Sequence, residues 1–352
     1  MTSDPAKTPA SAEPQRSLAA RFMRHPTVIS ALVVWICWLA IMSFGDLWWI
    51  LAEYWPISLT MAVGSFIAGA SSEGGGAVAF PVFTLGFGIA PHVARDFSLM
   101  IQSVGMTSAA ITIIMLRIPV AWQAILYAGL GGVFGIILSL EFVAPNLAAP
   151  YAKTFFTACW LSFGTALLLI NWFNTRGVGM REKLPDNDAA LPWLLGAAGF
   201  AGGIISGITG TGIDILTFSL IVLAFRLSER IATPTSVILM AMNSLLGFAW
   251  KGIGPSSIPI SPDAWNFWLA AVPIVVVGAP IGAMFIRNKP REVILGILLT
   301  AIVVQYVAAL ILIPQTPQLI AFNIATFALG SIAFIGLGRH GLRKASEDMH
   351  RA

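Results

Sequence analysis

The chain has 352 residues, of which 57% are hydrophobic and only 10% charged, with a mean hydropathy of +0.84. A soluble domain carries about a quarter charged residues, so this composition excludes a soluble enzyme or binding module as the main body of the chain. The net charge of +4 is small and no basic block is interleaved with aromatics, which argues against nucleic acid as a partner.

Residues 1–24, rich in Ala, Pro, Ser and charge, read as a disordered cytoplasmic tail. Arg16, Arg21 and Arg24 then precede an apolar stretch, Thr27–Phe44, as in a signal peptide, but no small-residue cleavage site follows. Gly45-Asp46-Leu47-Trp48-Trp49 follows instead. Residues 25–50 are therefore expected to form an uncleaved membrane helix with an aromatic interfacial anchor.

An internal repeat organises what comes next. A shift of 138 positions pairs Gly64 with Gly202, Gly69 with Gly207, Gly74 with Gly212, Leu85 with Leu223, Phe87 with Phe225, Ala94 with Ala232 and Ser98 with Ser236. After a five-residue insertion, Ala121-Trp122 pairs with Ala264-Trp265 and Gly135 with Gly278. The chain thus divides into repeat 1 (51–173), a cytoplasmic linker (174–190), repeat 2 (191–313), a last membrane helix (314–338) and a basic cytoplasmic tail (339–352).

Each repeat opens with a helix, Pro56–Ser72 or Leu191–Ile208, that runs into a glycine break, Glu73-Gly74-Gly75-Gly76 or Thr209-Gly210-Thr211-Gly212. A short apolar segment follows, Ala77–Phe87 or Ile213–Phe225. Three longer helices close each repeat: 92–116, 119–140 and 150–172, matched by 230–251, 263–287 and 291–313. At 1.5 Å per residue the short segments cover less than about 20 Å, too little for a hydrocarbon core of about 30 Å. They are expected to be half-helices, with the breaks near the midplane, where irregular backbone is tolerated only if buried in protein or lining a cavity.

An odd number of crossings per repeat makes the two copies inverted. From a cytoplasmic N-terminus the basic residues then fall mostly inside: Arg117; Arg176, Arg181 and Lys183; Arg226 and Arg230; Arg287, Lys289 and Arg291; Arg339, Arg343 and Lys344. The outer loops carry only Arg95, Lys153 and Lys251, which is the positive-inside pattern with both termini cytoplasmic. The expected fold is an all-α polytopic membrane protein of two inverted-topology repeats, with half-helices meeting near the midplane and one extra helix at each end.

Inversion directs both half-helix N-termini at the centre, each with free N–H groups and about half a positive charge. Such a pair can bind a small anion. The candidate binding residues are Gly74, Gly75 and Gly76, and Thr209, Gly210, Thr211 and Gly212, although glycine also serves helix packing. Ser98 and Gln102, four apart on one helix face, and Ser236 and Asn243 in the second repeat could complete the site or bond between helices. Glu73 and Asp214 flank the breaks in segments otherwise free of charge. Intramembrane acids are costly, and they are candidates for proton coupling, with N–H capping as the alternative for Asp214. Arg95 could attract anions at the outer mouth, or snorkel to headgroups.

Gly131, Gly135 and Ser139, echoed by Gly278 and Gly282, form a small-residue stripe for packing within the chain or, alternatively, for a homodimer seam. Cys37 and Cys159 read as inert thiols. His25, His92, His340 and His350 form no metal motif, and no Walker loop is present, so neither a metal, a cofactor nor direct ATP drive is expected.

The run Gly74–Pro81 (Gly-Gly-Gly-x-x-x-x-Pro), the Gly-x-Gly at Gly210–Gly212 and the Thr-Ser pair at Thr235-Ser236 resemble the sulfite exporter (TauE/SafE) family over roughly residues 56–313. The resemblance implies a secondary carrier of the bacterial cytoplasmic (inner) membrane. It would export sulfite or a related sulfur-containing anion such as an organosulfonate, driven by the proton gradient, and would not be an enzyme. Two departures from the family pattern stand out: Glu73 before the glycines, and Asp96 ahead of Phe97-Ser98 in place of Gly-Thr-Ser. Import, transport of another small oxyanion or carboxylate, and an intramembrane enzyme are the alternative functions.

Overall fold

Backbone inside a bilayer has no water to bond to, and this chain meets that constraint with helices. The computed structural model describes residues 26–71, 79–172, 180–185, 188–286, 289 and 291–351, and among them there is no β-strand. In chain order the helices are α1 (Pro26–Phe44), α2 (Trp49–Glu53), α3 (Trp55–Ala70), α4 (Pro91–Met115), α5 (Trp122–Leu138), α6 (Ala149–Trp172), α7 (Leu191–Thr209), α8 (Ile213–Ser219), α9 (Glu229–Gly252), α10 (Pro262–Ile286), α11 (Arg291–Leu312) and α12 (Pro317–Arg351). Among the described residues nine helices are long and apolar enough to cross a membrane; α3 and the segment Ile213–Ala224 are shorter apolar helices.

The helix boundaries read from the sequence agree with these to within about three residues, except at the C-terminus and at the expected helix end at Ser72 and half-helix start at Ala77, which lie outside the described residues. At the C-terminus the last helix does not stop near 338 in a tail but continues to Arg351. Gly341 lies against the carbonyls of Leu223 and Ala224 and Gly338 against Ile170, so the extension has surfaces to pack on. Beyond Gly341 no glycine or proline interrupts the run.

The two repeats coincide in local detail. Helical residues 79–81 run into a single π-turn at Val82–Gly86, and α8 runs into another at Leu220–Ala224. Each is closed by the same backbone bond, Ile89 N–H to Phe83 O at 2.9 Å and Leu227 N–H to Ile221 O at 2.9 Å. The residue between takes a left-handed conformation in both, Gly88 with φ 68° and Arg226 with φ 57°. Glycine adopts that backbone freely and arginine rarely. The linker is tied to the second turn, with Arg181 N–H donating to Arg226 O at 2.7 Å and Ser228 N–H to Arg181 O at 2.8 Å.

Packing exchanges elements between repeats. α3 of the first lies on α10 of the second, and α7 of the second lies on α5 of the first, while α4 and α9 pack on each other. In α4 and α9, 78% and 72% of the apolar window is buried, against 17% in α12 and 22% in α1 and α11, which makes α4 and α9 the core pair.

The small-residue stripes are the two exchange seams. A side chain on Gly135 would collide with Phe200 O and Gly203, and one on Gly278 with Ser65, the residue 138 positions before Gly203. Gly207 abuts Ser139, whose hydroxyl donates to Ile204 O at 2.7 Å, and Gly282 abuts Phe66 O and Ala70 N. These stripes therefore face partners inside the chain.

Gly135→Leu is predicted to drive α5 off α7 and to lower stability by more than about 3 kcal/mol, the scale of severe overpacking. Gly296→Leu, where nothing lies within 4 Å of the added Cβ, should stay within about 0.5 kcal/mol. Thermal unfolding of the two purified variants in one detergent checks the contrast.

Candidate functional site

The second break sits where α7, α8 and α4 meet. α7 ends at Thr209, and Gly210, with φ 89°, turns the chain. A Cβ there would strike Ser98 and the carbonyl of Arg95, so only glycine lets the break press this closely on α4. Gln102 Nε2 spans the contact, donating to Gly210 O at 2.7 Å and to Ser98 O at 2.9 Å. The structure thus brings Ser98, Gln102 and Gly210 together across 108 residues of sequence.

Four N–H groups at the start of α8, those of Gly212, Ile213, Ile215 and Leu216, are engaged from within the chain. Asp214 Oδ1 accepts from Gly212 N–H at 2.9 Å and Ile215 N–H at 3.0 Å. Ser206 Oγ accepts from Ile213 N–H at 3.0 Å, and Leu216 N–H returns to Gly212 O at 3.0 Å. The Thr211 hydroxyl donates to Asp214 Oδ2 at 3.0 Å, and the Thr209 hydroxyl donates to Thr211 O at 2.8 Å. Asp214 is wholly buried. Its carboxylate occupies the position in which a bound anion would meet these same donors.

Around this cradle are polar atoms without partners. Gln102 Oε1 and both side-chain polar atoms of Asn243 are buried and unbonded. Asn243 and Ile213, the first residue of α8, both border the same face of Gly132 on α5. A buried polar atom without a hydrogen bond costs about 1–3 kcal/mol. Ser98 and Ser236 instead donate into their own helices, to Ala94 O at 2.7 Å and Thr233 O at 2.8 Å. Glu73, Gly74, Gly75 and Gly76 lie outside the described residues.

Two cavities lie at the starts of α4 and α9, each lined by residues of both halves of the chain. One, of about 310 Å³, lies at the start of α4 and is lined by His92, Arg95, Pro145, Ile208 and Ile258. The other, of about 430 Å³, lies at the start of α9 and is lined by Arg230, Pro234, Arg117, Glu182, Lys183 and Gly69. His92 and Arg230 are 138 positions apart, so the two cavities occupy equivalent places. Both are lined with basic residues.

Arg95 is neither exposed nor alone. It is 3% exposed, and its Nε and Nη2 donate to Asp96 Oδ1 at 2.9 and 2.8 Å. The other oxygen, Oδ2, holds Lys251 Nζ at 2.5 Å. Nearby, the Glu141 carboxylate accepts from Trp250 Nε1 at 2.8 Å and from the hydroxyls of Ser256 and Ser257 at 2.6 Å each. Sequence reasoning missed this cluster, although Glu141 and Lys251 in apolar surroundings carried the same signal as Asp214. Among the described residues no group of three or more His, Cys, Asp or Glu could hold a metal.

Among the described residues, nine helices of membrane-spanning length and composition mark a multi-pass membrane protein. The family model described as Sulfite exporter TauE/SafE matches residues 57–311, most of the chain. The chain therefore belongs to the sulfite exporter TauE/SafE family, and membership makes it a transporter by class, with export of sulfite or a sulfur anion across a membrane as the activity the family carries. No curated protein and no solved structure matches the chain.

Asp214→Ala removes the acceptor for two buried N–H groups and is predicted to destabilise the protein by about 3 kcal/mol. Asp214→Asn keeps a carbonyl oxygen for them and should cost under about 1.5 kcal/mol. Thermal unfolding in detergent at a fixed pH separates the two.

Proposed function

We propose that the protein is a secondary carrier that exports sulfite or a small organosulfonate, coupled to protons, and that the anion is held at the second glycine break. The observation that carries this reading is the occupation of the cradle by Asp214. Two backbone N–H groups and a threonine hydroxyl converge on a carboxylate of the chain itself, beside unbonded atoms of Gln102 and Asn243. The carboxylate acts as a tethered substitute for the substrate.

Coupling follows from competition. While Asp214 is ionised it keeps the donors and repels a second negative charge. Once protonated it is a poorer acceptor and no longer repels, so an anion can take the donors. Anion binding and proton uptake then support each other, and apparent affinity rises as pH falls through the titration of Asp214. Glu73, three residues before Gly76 in the other break, is assigned the same role on the grounds of sequence alone.

The repeats are read as inverted, because helices exchange partners reciprocally and the π-turns recur with a spacing of 138. Inversion sets the α4 cavity on the outer side and the α9 cavity, bordered by Arg117, Lys183 and Arg230, on the cytoplasmic side. Both termini are then cytoplasmic, and the membrane is the bacterial inner membrane. The chain is read as functioning without cofactor.

Proteoliposome flux of sulfite, methanesulfonate, sulfate and acetate, with and without an imposed pH gradient, tests the proposal. Because anion and proton load together, a gradient of one pH unit should shift the equilibrium accumulation of methanesulfonate in wild-type proteoliposomes about tenfold toward the alkaline side. Asp214→Asn should bind anion with no pH dependence and lose the response to the gradient. Absence of flux for either sulfur anion under any gradient refutes the carrier reading; flux of acetate or sulfate alone reassigns the substrate.

A further inference from the structure

Asp214 is not the only carboxylate that holds donors in place of an anion. Arg95, Asp96 and Lys251 are 3%, 2% and 7% exposed, and the two cations share the one acid. Among the described residues Asp96 is the one carboxylate within ion-pair distance of either. Glu141, the next acid, is held by Trp250, Ser256 and Ser257. Glu141 also acts on Lys251 through its charge, so two cations and two acids share a nearly dry place, but Asp96 alone is in direct contact with the cations. It lies at the foot of the 310 Å³ cavity that Arg95 lines.

The cluster has no counterpart in the other repeat. At the equivalent positions, 138 residues away, stand Thr233 for Arg95, Pro234 for Asp96 and Ile113 for Lys251. A feature required simply to pack the shared fold would recur in both copies, and this one does not. Its position also connects it to the break. Arg95 and Gln102 are seven residues apart on α4, two turns and about 10 Å along the helix, and Gly210 rests on the carbonyl of Arg95 itself.

We propose that Arg95 and Lys251 form a second anion site at the base of the α4 cavity, with Asp96 as its displaceable internal counter-ion. Its ligand is a small oxyanion of one or two negative charges, a sulfonate or sulfite, that takes the Lys251 ammonium and the Arg95 guanidinium while Asp96 retreats. Loading gives the two cations an acceptor besides Asp96, which the resting chain makes them share. The inference rests on the carrier reading for its purpose, as a station between the cavity and the break, but the binding itself can be measured without transport.

The experiment places a cysteine at Ile258, which lines the cavity, in the full chain with Cys37 replaced by Ser, and follows its modification by a membrane-impermeant maleimide. Methanesulfonate is the probe, with gluconate at equal ionic strength as control. Methanesulfonate should slow modification several-fold, with half-protection at about tenfold lower concentration in Asp96→Asn, where the internal competitor is neutral. Lys251→Gln should abolish protection and Lys251→Arg should retain it. Protection that persists in Lys251→Gln, or that fails to strengthen in a monodisperse Asp96→Asn protein, overturns the site. If Asp96→Asn does not fold, the Gln and Arg variants of Lys251 decide alone: equal protection in both overturns it. Protection without flux of any sulfur anion would leave the site standing and remove the carrier reading; flux with wild-type KM in an unprotected Lys251→Gln protein would do the reverse.

Discussion

Every N–H and C=O at a break in a membrane helix must find a partner where water is scarce, and the rest of this molecule is arranged around that requirement. At 210–212 the chain meets it with its own side chains. Asp214 and Ser206 take the exposed N–H groups of α8, and Gln102 reaches across from α4 to take the carbonyl of Gly210. An unbroken helix would have needed none of these. By interrupting the helix the chain gathers donors in one buried place, and by supplying an acid it keeps them satisfied.

Holding such a site demands a stiff surround. Small residues at 135, 203, 207, 278 and 282 bring helix backbones into direct contact along two seams, so that α3 with α10 and α7 with α5 form close pairs flanking α4 and α9. Each pair joins one helix from either repeat, so any relative movement of the repeats must break or carry these seams. The cavities at the starts of α4 and α9 lie at equivalent positions, the second reaching the α3–α10 seam at Gly69, and differ in the charged residues beside them. One rests on a buried ion cluster; the other is bordered by the basic residues Arg117, Lys183 and Arg230.

Much of this could be read from the residues. Apolar runs separated by Pro, Gly and charge marked the helices, and the 138-residue shift located the second break within one residue of where α7 ends. The direction of the small-residue stripes was legible only as a pair of alternatives, because glycine spacing is the same for an internal seam and for a dimer. Side-chain partnerships were less accessible. Asp214 in the first turn of α8 is equally placed to cap or to titrate, and only the geometry records that it caps. Lys251 and Asp96 are 155 positions apart, and nothing in local periodicity joins a residue at the end of α9 to one at the start of α4. The length of α12 was misread because its last turns are polar and resemble a tail, whereas they extend a helix already held by contacts at Gly338 and Gly341.

The central claim is that Asp214 and the substrate contend for the same donors, so that an anion can bind only as a proton does. Methanesulfonate does not titrate near neutrality, which makes the claim measurable by proton uptake in a weakly buffered solution of the purified protein. On adding methanesulfonate near pH 7, the wild-type protein should take up a substantial fraction of a proton per anion bound, and Asp214→Asn should bind with markedly less uptake. Anion binding by the wild-type protein with no proton uptake, or with uptake that Asp214→Asn leaves unchanged, would contradict it.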